Sequence, residues 1–263
     1  MKNKVNIWGV LSILIVIGYS FSYFYYRESE ELVFHLNDSC LSPTKQHWFG
    51  TDTMGRDLYA MVWYGGSISL WIGMIATCCS TICAILYGGI SGFFPRKYDV
   101  VAMKLLDFAM SIPTILWVLF VQSMVVHKNS VTIGIVIGIT SWFSMAKIIH
   151  SEVQERRIDG HILCAKQMGA SLFYIVRVHI VPQILSNLWF MITMNIGKAM
   201  ITEATLSFLG LGLPVEQISL GMLIGTANEA FLGREWWLIV FPAVFFIVTV
   251  MSIMKINHNK EIQ

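Results

Sequence analysis

Residues 151–182 read SEVQERRIDGHILCAKQMGASLFYIVRVHIVP, a polar and basic stretch between two strongly apolar blocks. Two short helices are legible in it. Asp159 is a helix-starting type and Gly169 a helix-stopping type, so the first helix is predicted between them, with Gly160, His161 and Ala165 inside it. Beyond Ala170, Ser171 caps the second helix. That helix cannot run undisturbed past Pro182, whose ring removes a donor and clashes one turn back. Apolar stripes mark both, with Ile158, Ile162 and Ala165 on the first and Leu172, Ile175, Val176 and His179 on the second. Such an elbow presents one face to membrane helices and the other to a soluble partner. An ordinary loop between spans fits the spacing equally well.

The blocks on either side settle the class. Of 263 residues, 56% are hydrophobic and 13% charged, where soluble domains carry about 25% charged residues. Mean hydropathy is +0.64. The chain is therefore an integral membrane protein, and apolar runs long enough for helical spans make the expected fold class all-α. A net charge of +2 gives no reason to expect nucleic acid as a partner; membrane lipid is the expected surroundings. The five cysteines form no disulfide framework. Cys78, Cys79 and Cys83 lie in an apolar run, and Cys79 and Cys83 share a helix face. A thiolate metal site there competes with simple packing, which is favoured because thiolates are costly to bury in lipid.

Apolar runs at 6–26, 68–94, 100–126, 131–149, 184–209 and 236–254 are each near the ~20 residues that cross hydrocarbon, predicting about six transmembrane helices. Pro113 is expected to kink the third. Bulky aromatics from Tyr19 to Tyr26 stand where a cleavage site needs small residues, so the first run is read as an uncleaved anchor. With the N-terminus cytoplasmic, eleven Lys and Arg residues lie in cytoplasmic segments and five outside. That bias puts both termini and the 151–182 stretch in the cytoplasm. Leu213 to Glu235 then becomes an external segment, in which a cysteine at Ser219 is expected to label from outside while one at Gln154 is not.

Several polar residues ask for a role. Lys104 and Asp107 are three apart and are expected to pair on one face. Lys198 and Glu203 lie deeper in the fifth run, about 500° of helical rotation apart, so they do not share a face. A place on a transport path and a helix-packing role both stay open for them. In the polar block Gly50, Thr51, Asp52, Gly55, Arg56 and Asp57, a structural role is favoured over a metal site, for which two carboxylates are too few ligands. No catalytic constellation is present, nor any Gly-x-x-x-x-Gly-Lys phosphate loop. If ATP drives this protein, a separate subunit binds it.

Ala165, Gly169 and Pro182 resemble, in spacing, the Glu-Ala-Ala…Gly…Leu-Pro coupling loop of ABC-importer permeases, with Leu163, Cys164 and Val181 departing from it. The blocks His47–Leu58 and Glu203–Gly212 are similar to the peptide/nickel branch of that family, in the same order, and the likeness runs from about Leu41 to Phe246. The resemblance implies a type I importer permease with a cytoplasmic coupling loop. It divides the chain into an anchor and extracytoplasmic segment (1–66), a permease domain (67–256) and a short cytoplasmic tail (257–263). It also implies a homologous second permease, two cytoplasmic ATPase subunits carrying ATP and Mg, and an extracytoplasmic substrate-binding protein, in a bacterial cell membrane. No cofactor is expected on this chain. The expected cargo is nickel, a nickel chelate or small peptides. The tail lacks the Gly-Asp…Leu-Arg-Asp ending common in relatives. A stand-alone secondary transporter or intramembrane enzyme is the competing reading, and neither needs a coupling elbow.

Overall fold

The computed structural model describes residues 7–27, 29–93, 95–175, 177–178, 181–214, 217–233 and 235–256. The 257–263 tail lies outside the described residues. The chain forms α1 (Ile7–Tyr26), two short 3-10 turns, α2 (Leu58–Ser91), α3 (Arg96–Ser111), α4 (Thr114–Ser123), α5 (Ser130–Ser141) and α6 (Phe143–Arg156). It continues with α7 (Gly160–Gln167), α8 (Leu172–Ile175), α9 (Val181–Phe208), α10 (Leu220–Gly233) and α11 (Trp237–Met254). Among the described residues the only extended pairing is an isolated bridge between Thr51 and Asp57.

The 34 residues of α2 make a rod about 51 Å long, against which α1, α5, α6 and α9 pack. It starts at Leu58 rather than at the expected Ile68, because Asp57 caps it: the carboxylate accepts from the Tyr59 and Ala60 N–H groups. Small residues set how closely the rod is approached, since lipid gives helices no hydrophobic reason to associate. At Gly138 of α5 an added Cβ would come within 2.6 Å of the Cys79 Cβ and 2.7 Å of the Ala76 carbonyl. Cys79 is thus a packing partner of α5. Among the described residues, no group of three or more His, Cys, Asp or Glu is placed to hold a metal ion.

Two expected spans are broken. Pro113 splits the third into α3 and α4, which meet at 81°. Ile112 is held extended, at φ −91° and ψ 128°, because the proline ring crowds the α region for the residue before it. The fourth bends by 47° between α5 and α6. Among the described residues three continuous helices, in α1, α2 and α11, are long and apolar enough to cross a membrane, and five spans result if each bent pair is one. The 184–209 run is α9, whose 28 residues reach about 42 Å but include Gln183, Asn187, Asn195, Lys198 and Glu203. Its length suffices, and its polarity sets it apart from those three.

Two further expectations are corrected. The expected external segment contains α10, which packs on α9 and α11, with Leu220 and Leu223 joining a core with Leu58, Met61, Val62 and Trp237. Ser219 is fully buried, so a cysteine there cannot report sidedness. Asp107 pairs not with Lys104 but with Lys147 of α6, at 2.6 Å, so a contact between helices replaces the one along the helix.

Gly138→Val should overpack the α2–α5 contact at a cost of about 1–3 kcal/mol. The expected outcome is a lower midpoint when the purified protein is heated and its folded fraction followed by size exclusion. Gly89→Val, where an added Cβ meets nothing within 4 Å, is the control. Equal midpoints for the two variants would remove the packing account.

Candidate functional site

At the end of the bundle where α2 begins, the polar block folds into a closed turn. Asp52 Oδ1 accepts from the Met54 and Arg56 N–H groups at 2.9 and 2.8 Å. Its Oδ2 meets Arg56 Nε at 2.8 Å and Nη2 at 2.7 Å, a two-pronged pair with both residues buried. Thr51 Oγ1 accepts from the Leu41 N–H and donates to the Asp38 carbonyl, and the Thr51 carbonyl accepts from Trp237 Nε1 at the start of α11. Gly50 and Gly55 have φ of +79° and +76°. At Gly55 a side chain would also collide with the His35 carbonyl. Besides capping α2, Asp57 contacts His47 Nδ1 at 2.8 Å. Burial raises the Glu31 carboxyl above its usual range, nearby Asp57 adds to the rise, and His47 opposes it. Both Asp52 oxygens are taken up inside the turn.

At the far end of α2 lies the elbow. The Asp159 carbonyl accepts from the Ile162 and Leu163 N–H groups, opening α7 at Gly160. Gly169 ends the elbow's first arm at φ +85°, with the Ala170 N–H bonded to the Ala165 carbonyl. Ser171 Oγ accepts from the Tyr174 N–H and so caps α8. Ile162 and Ile175 are each 3% exposed and seat both arms among Met145, Ile149, Val153, Ile184 and Leu188 of α6 and α9. Ala170 packs against the same cluster, while Met168 at the tip is 88% exposed. The predicted stripes need revision, because Ile158 is exposed: it precedes α7 and does not follow its register. Val176 and His179 and the side chains of His161 and Leu172 lie outside the described residues. Pro182 does not terminate the second short helix. It stands in the first turn of α9, where a missing N–H costs nothing.

Polar ties that the sequence reading missed brace this end. His150 Nε2 and Gln154 Nε2 both contact the Asp99 carboxylate of α3, Asn187 donates to Glu152, and Arg157 donates to the Gly92 carbonyl after α2. Their separations along the chain hide them, although His150 and Gln154 are visible as an i, i+4 pair.

Between the two ends, Glu203 and Lys198 part company. Glu203 is fully buried. Ser207 and Ser219 donate to its Oε1 at 2.9 and 2.7 Å, and Ser69 of α2 donates to Oε2 at 3.2 Å. Ser69 Oγ and Ser219 Oγ also accept from the Leu220 and Met222 N–H groups, so the carboxylate and two serines together hold the first turn of α10. Gly221 lets the carboxylate approach: a Cβ there would sit 2.8 Å from Oε2. Lys198 instead borders a cavity of about 290 Å³ with Thr114, Ser141, Ser144, Asn195 and Thr202. Of the three serines, only Ser207, one turn beyond Glu203, could have been found from spacing.

These features, a helical membrane bundle with a protruding two-helix elbow, suit a transport subunit. The family model described as the inner membrane component of binding-protein-dependent transport systems matches residues 84–259. The chain belongs to that family: it is a multi-pass membrane permease subunit of an ABC importer and not an enzyme, since ATP hydrolysis in this family resides on separate subunits. It is 30% identical over 257 residues to the dipeptide transport system permease protein DppC of Bacillus subtilis (strain 168), covering 95% of this chain and 78% of that one. With the oligopeptide permease protein OppC of the same organism it shares 31% over 251 residues, 95% and 82% of the two chains. A putative peptide permease protein of Brucella suis is 32% identical over 219 residues, 83% and 72% of the two chains.

Glu203→Gln keeps two acceptor bonds and misplaces one donor, so a loss of about 1 kcal/mol is expected, with the subunit still assembling. Glu203→Ala strands three serines and should reduce folded yield severely. A thermal midpoint series in detergent checks this; equal midpoints for Gln and Ala would show that the serine contacts do not hold α10.

Proposed function

We propose that this chain forms one half of the transmembrane path of an ATP-driven peptide importer. It pairs with a homologous permease, two cytoplasmic ATPase subunits holding ATP and Mg²⁺, and an extracytoplasmic binding protein. The observation that carries this reading is the elbow. Ile162 and Ile175 lock it to α6 and α9, and its tip is left in the open. A push on that tip is transmitted to two membrane helices as a rigid displacement, because packed cores resist compression. In this mechanism closure of the ATPase pair moves the elbow, the helices rock, and the path opens outward to the binding protein. Hydrolysis resets it. Peptide cargo is favoured by the names of the relatives, which speak of dipeptides, oligopeptides and peptides. Nickel gains no specific support from them.

Uptake of labelled di- and oligopeptides by cells whose own peptide importers are deleted tests the cargo; peptide-independent accumulation of Ni²⁺ alone would overturn it. Gly169→Asp places a side chain at a left-handed residue, strained by roughly 1–2 kcal/mol, and puts a carboxylate on the elbow's surface. Peptide uptake is expected to vanish while membrane insertion persists, and normal uptake would remove the coupling role. The lysine and arginine distribution puts both termini and the elbow in the cytoplasm. In a cysteine-free background, Lys45→Cys should label with an impermeant thiol reagent from outside, and Met168→Cys only after the membrane is opened. The reverse pattern inverts the orientation.

A further inference from the structure

Lys198 enters no ion pair among the described residues. It is the eighteenth residue of α9, about 26 Å from the start of that helix and 15 Å from its end. An ammonium at that depth is tolerated only where it meets water, a partner or a cargo. The cavity it borders holds hydroxyls from Thr114, Ser141, Ser144 and Thr202 and the Asn195 amide, and among the described residues no carboxylate lines it. Both broken spans contribute to it. Thr114 opens α4 after the Pro113 break, and Ser141 and Ser144 flank the bend between α5 and α6. Irregular backbone at membrane depth is stable where it lines a wet cavity, and the first turn of a helix such as α4 offers N–H groups with no partner inside the helix. Lys198 is the one charged side chain among the described residues that line it.

We propose that Lys198 is a way station for the C-terminal carboxylate of a peptide in transit. This rests on the peptide reading above and adds to it a chemical group and a residue. Every unmodified peptide carries that carboxylate whatever its sequence, so one cation serves a cargo of varied side chains. A single ammonium among neutral hydroxyls in a half-open cavity attracts the carboxylate without trapping it, as passage requires. Glu203, five residues on, is closed off by its serines and is no competitor for the ammonium.

The test uses the intact importer, with both permeases, both ATPases and the binding protein, in proteoliposomes. Uptake of dialanine and of dialanine amide is measured at concentrations that saturate the binding protein. In K198M the maximal rate for the free acid is expected to fall about tenfold with half-saturation unchanged, while the amide rate changes less than about twofold. K198R should recover most of the loss. An equal fall for both peptides, or no fall for the acid, overturns the proposal while wild-type uptake keeps the peptide reading intact. A K198M complex that sheds its second permease on purification marks an intersubunit ion pair and overturns it as well. If the binding protein refuses the amide, the acid alone decides: rates falling in the order K198R, K198M, K198E support the assignment, and K198M equal to wild type ends it. A wild-type importer that moves neither peptide removes the peptide reading itself and the carboxylate role with it.

Discussion

A carboxylate buried in a membrane protein has to be met by donors, and in this bundle the donors come from three directions. Ser69 reaches Glu203 from α2, Ser207 from one turn further along α9, and Ser219 from the start of α10. Because two of those serines also accept backbone N–H groups of α10, the node satisfies the beginning of a helix that would otherwise expose unpaired donors inside the protein. The return of the chain from α9 into the bundle therefore hangs on one side chain. α11 is then delivered beside α2, where Trp237 reaches the Thr51 carbonyl and closes the block at that end.

The same economy of contacts explains the long rod. With lipid as apolar as leucine, association depends on close approach and internal hydrogen bonds rather than on escape from water. Small residues of α2 and its neighbours provide the approach, as at Gly138 against Ala76 and Cys79. Hydroxyl and amide groups provide the bonds, as between Asn195 and Ser80 at 2.6 Å. Stiff packing of this kind suits the coupling role proposed for the elbow. The breaks at Pro113 and near Trp142 fall where polar side chains gather around Lys198.

Sequence periodicity and chemistry carried the reading a long way. Composition gave the membrane class, and apolar runs of about twenty residues gave the helices. Asp159, Gly169 and Ser171 marked the elbow because capping is a local affair, decided within one turn of backbone. The 500° between Lys198 and Glu203 already separated their faces, and the structure puts one in a cavity and the other in a closed core.

What the sequence left open was set by contacts between residues far apart along the chain. The lysine and arginine count reads Leu213 to Glu235 as an external segment but says nothing of its packing, whereas in the structure α10 folds against the bundle, with Ser219 bonded to Glu203 and its first turn to Ser69. Asp107 reads as a partner of Lys104 by helical spacing, but Lys147 on a crossing helix lies closer. Pro182 reads as a stop and serves as a start, because the breaker properties of proline are harmless in a first turn. The sequence by itself determined the apolar lengths, the caps and the breaks, all properties of neighbouring residues. Only the tertiary structure decided which polar groups find each other, because a hydrogen bond depends on distance in space.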